Sequence, residues 1–172
     1  MKVTIRAATW LNDKDLLRAV RSRVFIEEQA VPVELEWDDK DEQARHWLAV
    51  DADDNAVGTV RMLADGHIGR MAVLADHRQQ GVGRALLEAA IAHARDSNQF
   101  DVYLYAQVQA LAFYRKLGFE AYGPEFMDAN IPHLAMRLQL ADKRLAGTHG
   151  GDFAVQIPSH QLGFAGRFDV KV

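Results

Sequence analysis

The chain has 172 residues and a formal net charge of -4; charged residues make up 26% and hydrophobic residues 49%. These values indicate one globular domain with a substantial core, and the negative charge argues against a general nucleic-acid binder. The absence of cysteine excludes disulfides, cysteine-ligated metal and a thiol nucleophile, and no apolar run approaches the ~20 residues that span a membrane.

The chain opens with a strand pattern. Val3 and Ile5 alternate with other residues between Lys2 and Ala7, which predicts a strand with these two side chains on one face. The same stretch lacks the apolar core of a signal peptide. We therefore expect a cytoplasmic protein without membrane or nucleic-acid partners.

A helix should follow this strand. Asn12 or Asp13 can cap its N-terminus, and Pro32 marks its end or a sharp break. Its predicted buried stripe consists of Leu16, Leu17, Val20 and Val24. Residues 34–42, ELEWDDKDE, are called the acidic segment below, and their charge predicts a solvated loop.

Two alternating stretches, residues 46–50 and 57–64, predict the next strands, with a polar turn between them. Asp65-Gly66 is a strong hairpin signal, and a two-residue type I′ turn needs positive φ at both positions. The strand from about His67 to Leu74 should therefore pair antiparallel with the strand before it.

Residues 68–84, IGRMAVLADHRQQGVGR, run from a buried strand through a glycine turn into a helix. Gly81 and Gly83 let the backbone bend and approach a ligand, and the free N–H groups at a helix N-terminus favour phosphate oxygens. The alternative is that both glycines merely turn the strand into the helix. The helix should bury one face, formed by Val82, Leu86, Ala90 and Ala94.

The second half of the chain continues with a strand at residues 101–107 and a short helix at residues 110–117. Gly118 stands where a helix C-terminus needs positive φ, and Phe119 can fold back on Tyr114. Strand patterns return at about residues 119–122 and 133–140. This order predicts a mixed-sheet α/β (α+β) fold rather than a regular parallel βαβ alternation.

Three separated motifs carry a resemblance to a known family. Arg78 to Gly83 read R-x-x-G-x-G after an apolar strand, without the Lys-Ser or Lys-Thr of a Walker loop or the third glycine of a dinucleotide fingerprint. This motif resembles the pyrophosphate loop of the GNAT superfamily, the acyl-CoA-dependent N-acyltransferases. QVQALAFYRKLGF is similar to the family's second cofactor segment, N-x-x-A-x-x-F-Y-x-K-x-G-F, with Gln107 in the usual place of Asn. RSRVFIEEQ and FMDANIPHLAMRL resemble the ElaA-like branch.

The resemblance implies a GNAT-like acetyltransferase domain over residues 1–140 and acetyl-CoA as co-substrate. Main-chain groups of Met71, Ala72 and Val73 would bind the pantetheine arm as if it were an extra strand. Main-chain N–H groups from Gln79 to Arg84 would hold the pyrophosphate. The further implied cofactor contacts are Arg78, Gln80, Gly81, Val82, Gly83, Gln107, Ala110, Phe113 and Tyr114.

Tyr114 is the implied acid for the leaving thiolate. A tyrosine hydroxyl has a pKa near 10, so it can donate a proton or hydrogen bond to sulfur at neutral pH. The alternative to this catalytic role is that Tyr114 is an ordinary amphipathic core residue on a helix.

The general base is less clearly indicated, because the family's strand carboxylate has no counterpart here. Period-2 alternation would place His67, Gly69, Met71 and Val73 on the substrate-facing side. His67 is one candidate base, and the alternative for it is an exposed histidine beside a turn. His133 is a second candidate, a water molecule could serve instead, and Glu27 and Glu28 are candidate substrate contacts. No metal is expected.

Residues 141–172 lie outside the resemblance and are predicted to form a C-terminal extension. Two alternating apolar runs, one at Phe153, Val155 and Ile157 and one at Phe168, Val170 and Val172, predict strands. They could pack on the same domain or cross to another subunit. We favour the second arrangement and therefore expect a homodimer.

The resulting hypothesis is an N-acetyltransferase that moves an acetyl group from acetyl-CoA to a primary amine of a small molecule or peptide. The alternative is a non-catalytic acyl-CoA-binding or sensing module. A nucleotide-binding protein is disfavoured by the missing Lys-Ser or Lys-Thr.

Overall fold

The computed structural model describes residues 2–128 and 131–141. They form two antiparallel sheets, and the predicted mixed α/β fold is confirmed. The first sheet has the order β1-β2-β3-β4, with strands Thr4–Ala8, Arg45–Val50, Ala56–Met62 and Ile68–Val73. The second has the order β5-β7-β6, in which β5 is Asp101–Gln107, β6 is Glu120–Asp128 and β7 is Ile131–Gln139. The strands predicted beyond residue 141 lie outside the described residues.

Four α-helices and three short turns of other helix types connect the strands of the described part. The α-helices are α1 (Trp10–Arg21), α2 (Val33–Glu36), α3 (Val82–Asp96) and α4 (Leu111–Lys116). A π-helical segment, Ser22–Glu28, continues α1, and 3₁₀ turns span Ala75–His77 and Val108–Ala110. None of these helices is long and apolar enough to cross a membrane.

The two sheets meet only at one end of β4 and β5 in the described residues. Tyr103 N donates to Gly66 O at 3.1 Å, and an isolated parallel bridge pairs His67 with Tyr103. Beyond this bridge no further backbone pair joins the two strands in that part of the chain. Each of these strands is an edge of its own sheet, so the two edges flank a gap.

The main core lies between α3 and the two sheets. The predicted buried face of α3 is confirmed, because Val82, Leu86, Ala90 and Ala94 are all buried there. On the other face of the first sheet, α1 and the π-helical segment bury Leu17, Val20 and Val24 as predicted, whereas the fourth predicted residue, Leu16, is only partly buried. Each fully buried large side chain contributes roughly 1.5–3 kcal/mol, so both faces of the first sheet stabilise the fold.

The cap of α1 differs from the prediction. Thr9, not Asn12 or Asp13, is the capping residue: Thr9 Oγ1 accepts from Asn12 N at 3.2 Å. The Asp13 carboxylate in turn accepts from Thr9 N at 3.0 Å. These reciprocal bonds satisfy N–H groups at both ends of the first turn. The prediction was wrong because the first turn exposes Leu11, so the apolar stripe begins only later in the helix.

The β3–β4 hairpin is confirmed, but its turn type is not. Gly66 N donates to Leu63 O at 3.0 Å, and Leu63 N donates to His67 O at 2.9 Å. Within the loop only Gly66 has positive φ, +86°, so a type I turn followed by a left-handed glycine closes the hairpin. A Cβ at Gly66 would lie 2.9 Å from the carbonyl oxygen of Asp101, so the second sheet also requires glycine here.

The end of α4 follows the predicted capping pattern. Gly118 has φ +94°, Phe119 N donates to Tyr114 O at 3.2 Å, and Gly118 N donates to Arg115 O at 3.0 Å. The Phe119 ring packs against Tyr114 at 5.9 Å between centroids. Strand β6 is longer than predicted, because it continues past Gly123 through an irregularity in its pairing with β7.

Candidate functional site

The glycine turn after β4 forms an open main-chain cradle. Gln79 and Gly81 have φ values of +59° and +82°, and Gly81 is the N-cap of α3. The first helical bond runs from Ala85 N to Gly81 O at 3.0 Å, so the N–H groups of residues 82–84 precede it. Among the described residues, nothing lies within 4 Å of a Cβ built on Gly81. Free N–H groups in open space at a helix N-terminus suit phosphate oxygens.

The two glycines of this turn have different roles. Only Gly81 has positive φ. Gly83 is buried inside the first turn of α3, where the backbone is helical. The interpretation that both glycines bend the backbone is therefore wrong for Gly83.

Arg78 and Glu28, predicted for the cofactor and the substrate, lie against each other. The Arg78 guanidinium binds Glu28 with two contacts, Nη1 to Oε1 at 2.7 Å and Nη2 to Oε2 at 2.6 Å. Arg78 Nε also donates to Val73 O at 2.9 Å. This side chain thus ties the end of β4 to the π-helical segment. Glu27, which precedes Glu28 in the π-helical segment, is exposed.

Strand β4 contains a bulge at Arg70. Thr59 pairs with Ala72 and Arg61 pairs with Gly69, so Arg70 and Met71 together oppose a single residue of β3. Arg70 has φ +51°, a region that costs a residue with a side chain roughly 1–3 kcal/mol. An extra residue reverses the alternation of all side chains beyond it.

The predicted substrate-facing set on β4 is therefore wrong. Ile68, Met71 and Val73 share the face that packs in the main core. His67 and Gly69 precede the bulge and so do not share the face of Met71 and Val73. Period-2 counting failed because it assumed a regular strand.

A buried group of three arginines and three carboxylates lies on the other face of the first sheet. We call it the arginine–carboxylate cluster; its members are Arg21, Arg61, Arg70, Glu36, Asp38 and Asp41. The bonds of Arg21 are 2.6 Å to Glu36 and 2.7 Å to Asp41. Those of Arg61 are 2.7 Å to Asp38 and 3.0 Å to Asp41, and Arg70 lies 3.3 Å from both Glu36 and Asp38.

The prediction of a solvated acidic segment holds for Glu34, Asp39, Lys40 and Glu42, which are exposed, and is wrong for Glu36 and Asp41. Glu36 and Asp41 are each only 2% exposed. Burial raises the pKa of Glu36 although three arginines oppose the change. Burial also acts to raise the pKa of Asp38, but its hydrogen bond with Arg61 and the charges of Arg61 and Arg70 outweigh burial and lower that pKa to about 2. One sequence signal was available: Arg61 and Arg70 stand inside strand patterns, where buried charges need partners.

Gln107 and His133 face each other across β5 and β7. Their Cα atoms are register partners, and the residues are 1% and 0% exposed. Within residues 2–128 and 131–141, Gln107 Nε2 and His133 Nε2 have no hydrogen-bond partner, while Gln109 Nε2 donates to Gln107 Oε1. A buried unpaired amide donor is costly unless a ligand satisfies it.

The hydrogen bond of His133 determines its tautomer. His133 Nδ1 lies 2.7 Å from the Ile131 carbonyl oxygen, which can only accept, so Nδ1 carries the proton. In the neutral ring Nε2 then has a free lone pair and can accept a proton. The role of His133 as a base remains a prediction.

His67 lies buried at the bridge between the sheets. Its ring stacks on Tyr103 at 4.8 Å and contacts Tyr105 at 4.9 Å. The alternative of an exposed histidine is therefore wrong. Burial, supported by positive charges such as Arg61 and opposed by Asp65, lowers the pKa of His67 to about 4. A base with so low a pKa accepts a proton poorly at neutral pH.

Tyr114 is fully buried in the main core. Its ring makes edge contacts with Phe113 at 5.1 Å and Phe119 at 5.9 Å. Ala110 is buried at the start of the same helix, and Phe113 is half-buried. The role of Tyr114 as an acid remains a prediction. No group of three or more potential metal-ligating side chains occurs in the described residues.

Comparison with known proteins identifies the family of the chain. A family model described as an acetyltransferase (GNAT) domain matches residues 12–140. YjcF of Bacillus subtilis, described as an uncharacterized N-acetyltransferase, is 37% identical over 138 residues, which cover 77% of this chain and 98% of the relative. An acyl-CoA N-acyltransferase structure from Pseudomonas aeruginosa has a TM-score of 0.71 and 28% identity, covering 79% of this chain and 99% of that chain. Escherichia coli ElaA has a TM-score of 0.71 and 25% identity, with the same coverage of 79% and 99%.

The family match spans most of the chain and includes the glycine turn, both sheet edges and α4. The chain is similar in structure to ElaA. It therefore belongs to the GNAT acetyltransferase family and is an acyl-CoA-dependent N-acetyltransferase.

Proposed function

We propose that the protein transfers an acetyl group from acetyl-CoA to a primary amine by direct attack in a ternary complex. The observation that carries this proposal is the combination of two features. Beyond the His67–Tyr103 bridge, no strand of the described residues covers the outer edge of β4, and an open cradle lies at the N-terminus of α3. The pantetheine arm of CoA is extended and carries amides, so it can pair with the β4 edge. The pyrophosphate at the end of that arm can then bind at the N-terminus of α3. The acceptor is a small-molecule or peptide amine.

The cofactor would lie along the gap between the sheets. Main-chain groups of Met71, Ala72 and Val73 would pair with the pantetheine amides, and those of residues 79–84 would hold the pyrophosphate. The unpaired Nε2 of Gln107 would donate to a pantetheine carbonyl. Ala110 and Phe113 would line the channel at the start of α4.

The transfer forms a C–N bond and breaks the C–S bond of the thioester. The amine must lose a proton, the carbonyl oxygen must carry negative charge in the tetrahedral intermediate, and the thiolate must leave. We assign the base to His133, whose Nε2 can accept the amine proton, and keep His67 as the second candidate. Tyr114 would supply the proton or hydrogen bond to the departing sulfur.

Thiol release from acetyl-CoA in the presence of a panel of amines tests this function. We expect release that depends on both acetyl-CoA and one class of amine, with slower release from longer acyl-CoA thioesters. Tight binding of acetyl-CoA without release across a broad panel would instead indicate a binding or sensing module.

We further propose that the protein works as a cytoplasmic homodimer. The support is the sequence pattern of residues 141–172, whose alternating apolar positions predict strands, and pairing of strands across a two-fold axis would protect sheet edges. Cell fractionation tests the location, and light scattering tests the oligomeric state.

A further inference from the structure

Arg70 stands directly before the main-chain stretch that would bind the pantetheine arm. It is the left-handed residue of the β4 bulge, with φ +51°. A residue with a side chain keeps such a backbone conformation only where its surroundings hold it. The direction of Met71–Val73 along the sheet edge therefore depends on what holds Arg70.

The side chain of Arg70 is held by the acidic segment. It is 3% exposed, and its Nε lies 3.3 Å from Glu36 Oε2. Its Nη2 lies 3.3 Å from Asp38 Oδ2 and donates to the Glu36 carbonyl oxygen at 3.3 Å. One guanidinium thus connects the bulge to two carboxylates and to the main chain of another segment.

The acidic segment is itself anchored without Arg70. Arg21 of α1 binds Glu36 and Asp41, and Arg61 of β3 binds Asp38 and Asp41. The segment is therefore a fixed support, and the specific contribution of Arg70 is to attach β4 to it. Arg61 makes similar buried contacts, but it lies on β3 opposite Gly69, its own φ is not positive, and it does not precede the cofactor-binding stretch. Without Arg61, Arg21 would still bind Glu36 and Asp41.

We propose that Arg70 is a positioning residue for acyl-CoA, which holds the β4 bulge against the acidic segment and so directs the main-chain groups of Met71–Val73 toward the cofactor. This rests on the cofactor contacts of the proposed function. It also makes the acidic segment part of the structure that determines cofactor affinity.

Two matched substitutions test this role. Arg70→Lys and Arg61→Lys each keep the positive charge but replace one planar guanidinium of the arginine–carboxylate cluster by an ammonium group. Both should lower the melting temperature. Titration calorimetry with CoA, below both melting temperatures, should show at least about fivefold weaker binding for Arg70→Lys and a change within about twofold for Arg61→Lys. Wild-type affinity in folded Arg70→Lys, or equal weakening in both variants, would overturn the proposal.

Hydrogen exchange of the wild-type protein gives a test that does not depend on how the variants fold. CoA should slow amide exchange in residues 34–42 as well as in β4, because the two are tied together. Unchanged exchange in residues 34–42 on CoA binding would refute the positioning role alone. A wild-type protein that binds no CoA would refute the proposed function and, with it, this proposal.

Discussion

Acid should destabilise this protein through His67. The pKa of this buried ring is lowered from 6.5 to about 4. Between these two pH values the ring is therefore protonated in the unfolded chain and neutral in the folded chain. The stability contributed by neutral His67 is complete above pH 6.5 and is lost as the pH falls toward 4. With 1.36 kcal/mol for each pKa unit, the full loss is about 3 kcal/mol, of which about 2 kcal/mol should appear between pH 7 and pH 5.

The assay is urea unfolding of the wild type and of His67→Phe at half-unit steps between pH 7.5 and pH 4.5. Phenylalanine keeps an aromatic ring against Tyr103 but cannot titrate. His46, whose pKa is also lowered mainly by burial, and Glu36, whose pKa is raised by burial, remain in both proteins, so their contributions cancel in the difference. The difference between the two stabilities should shift by about 2 kcal/mol over pH 7 to pH 5. Parallel stability curves would show that folding does not lower the pKa of His67 and would strengthen its candidacy as the base.

The remaining predictions concern the proposed site. His133→Gln should lower kcat by about 100- to 10,000-fold while the Kd for CoA stays unchanged, measured by thiol release and calorimetry; unaltered kcat would exclude His133 as the base. Tyr114→Phe removes only a hydroxyl and should lower turnover about 10- to 1000-fold at nearly constant acetyl-CoA affinity; equal turnover would mean that sulfur leaves without its help. Gly83→Val places a branched side chain at a buried position in the first turn of α3; in the protein that still folds, CoA binding should weaken more than about tenfold, or 1.4 kcal/mol, and unchanged calorimetry would refute the phosphate cradle. Truncation after Leu140 should give a monomer that still binds CoA; light scattering that finds the full-length protein monomeric would contradict the dimer.

The sequence by itself determined the features whose interactions are local. The apolar face of α3, a backbone bend at Gly81 and the capping of α4 by Gly118 were all predicted and are all present. Each depends on residues close in sequence within a single helix or turn, where side-chain periodicity and the freedom of glycine control the backbone. The family motifs belong to the same local stretches, which is why the fold could be recognised.

Only the tertiary structure decided the features whose partners are distant. Arg70 meets Glu36, 34 residues away, so the burial of Glu36 could not be predicted from the composition of the acidic segment. The β4 bulge reversed the side-chain alternation, and His67 became buried because β5 supplied two tyrosine rings. In each case the environment of a side chain was set by a neighbouring strand or helix, and local sequence carries no information about which surfaces meet when the sheets and helices pack.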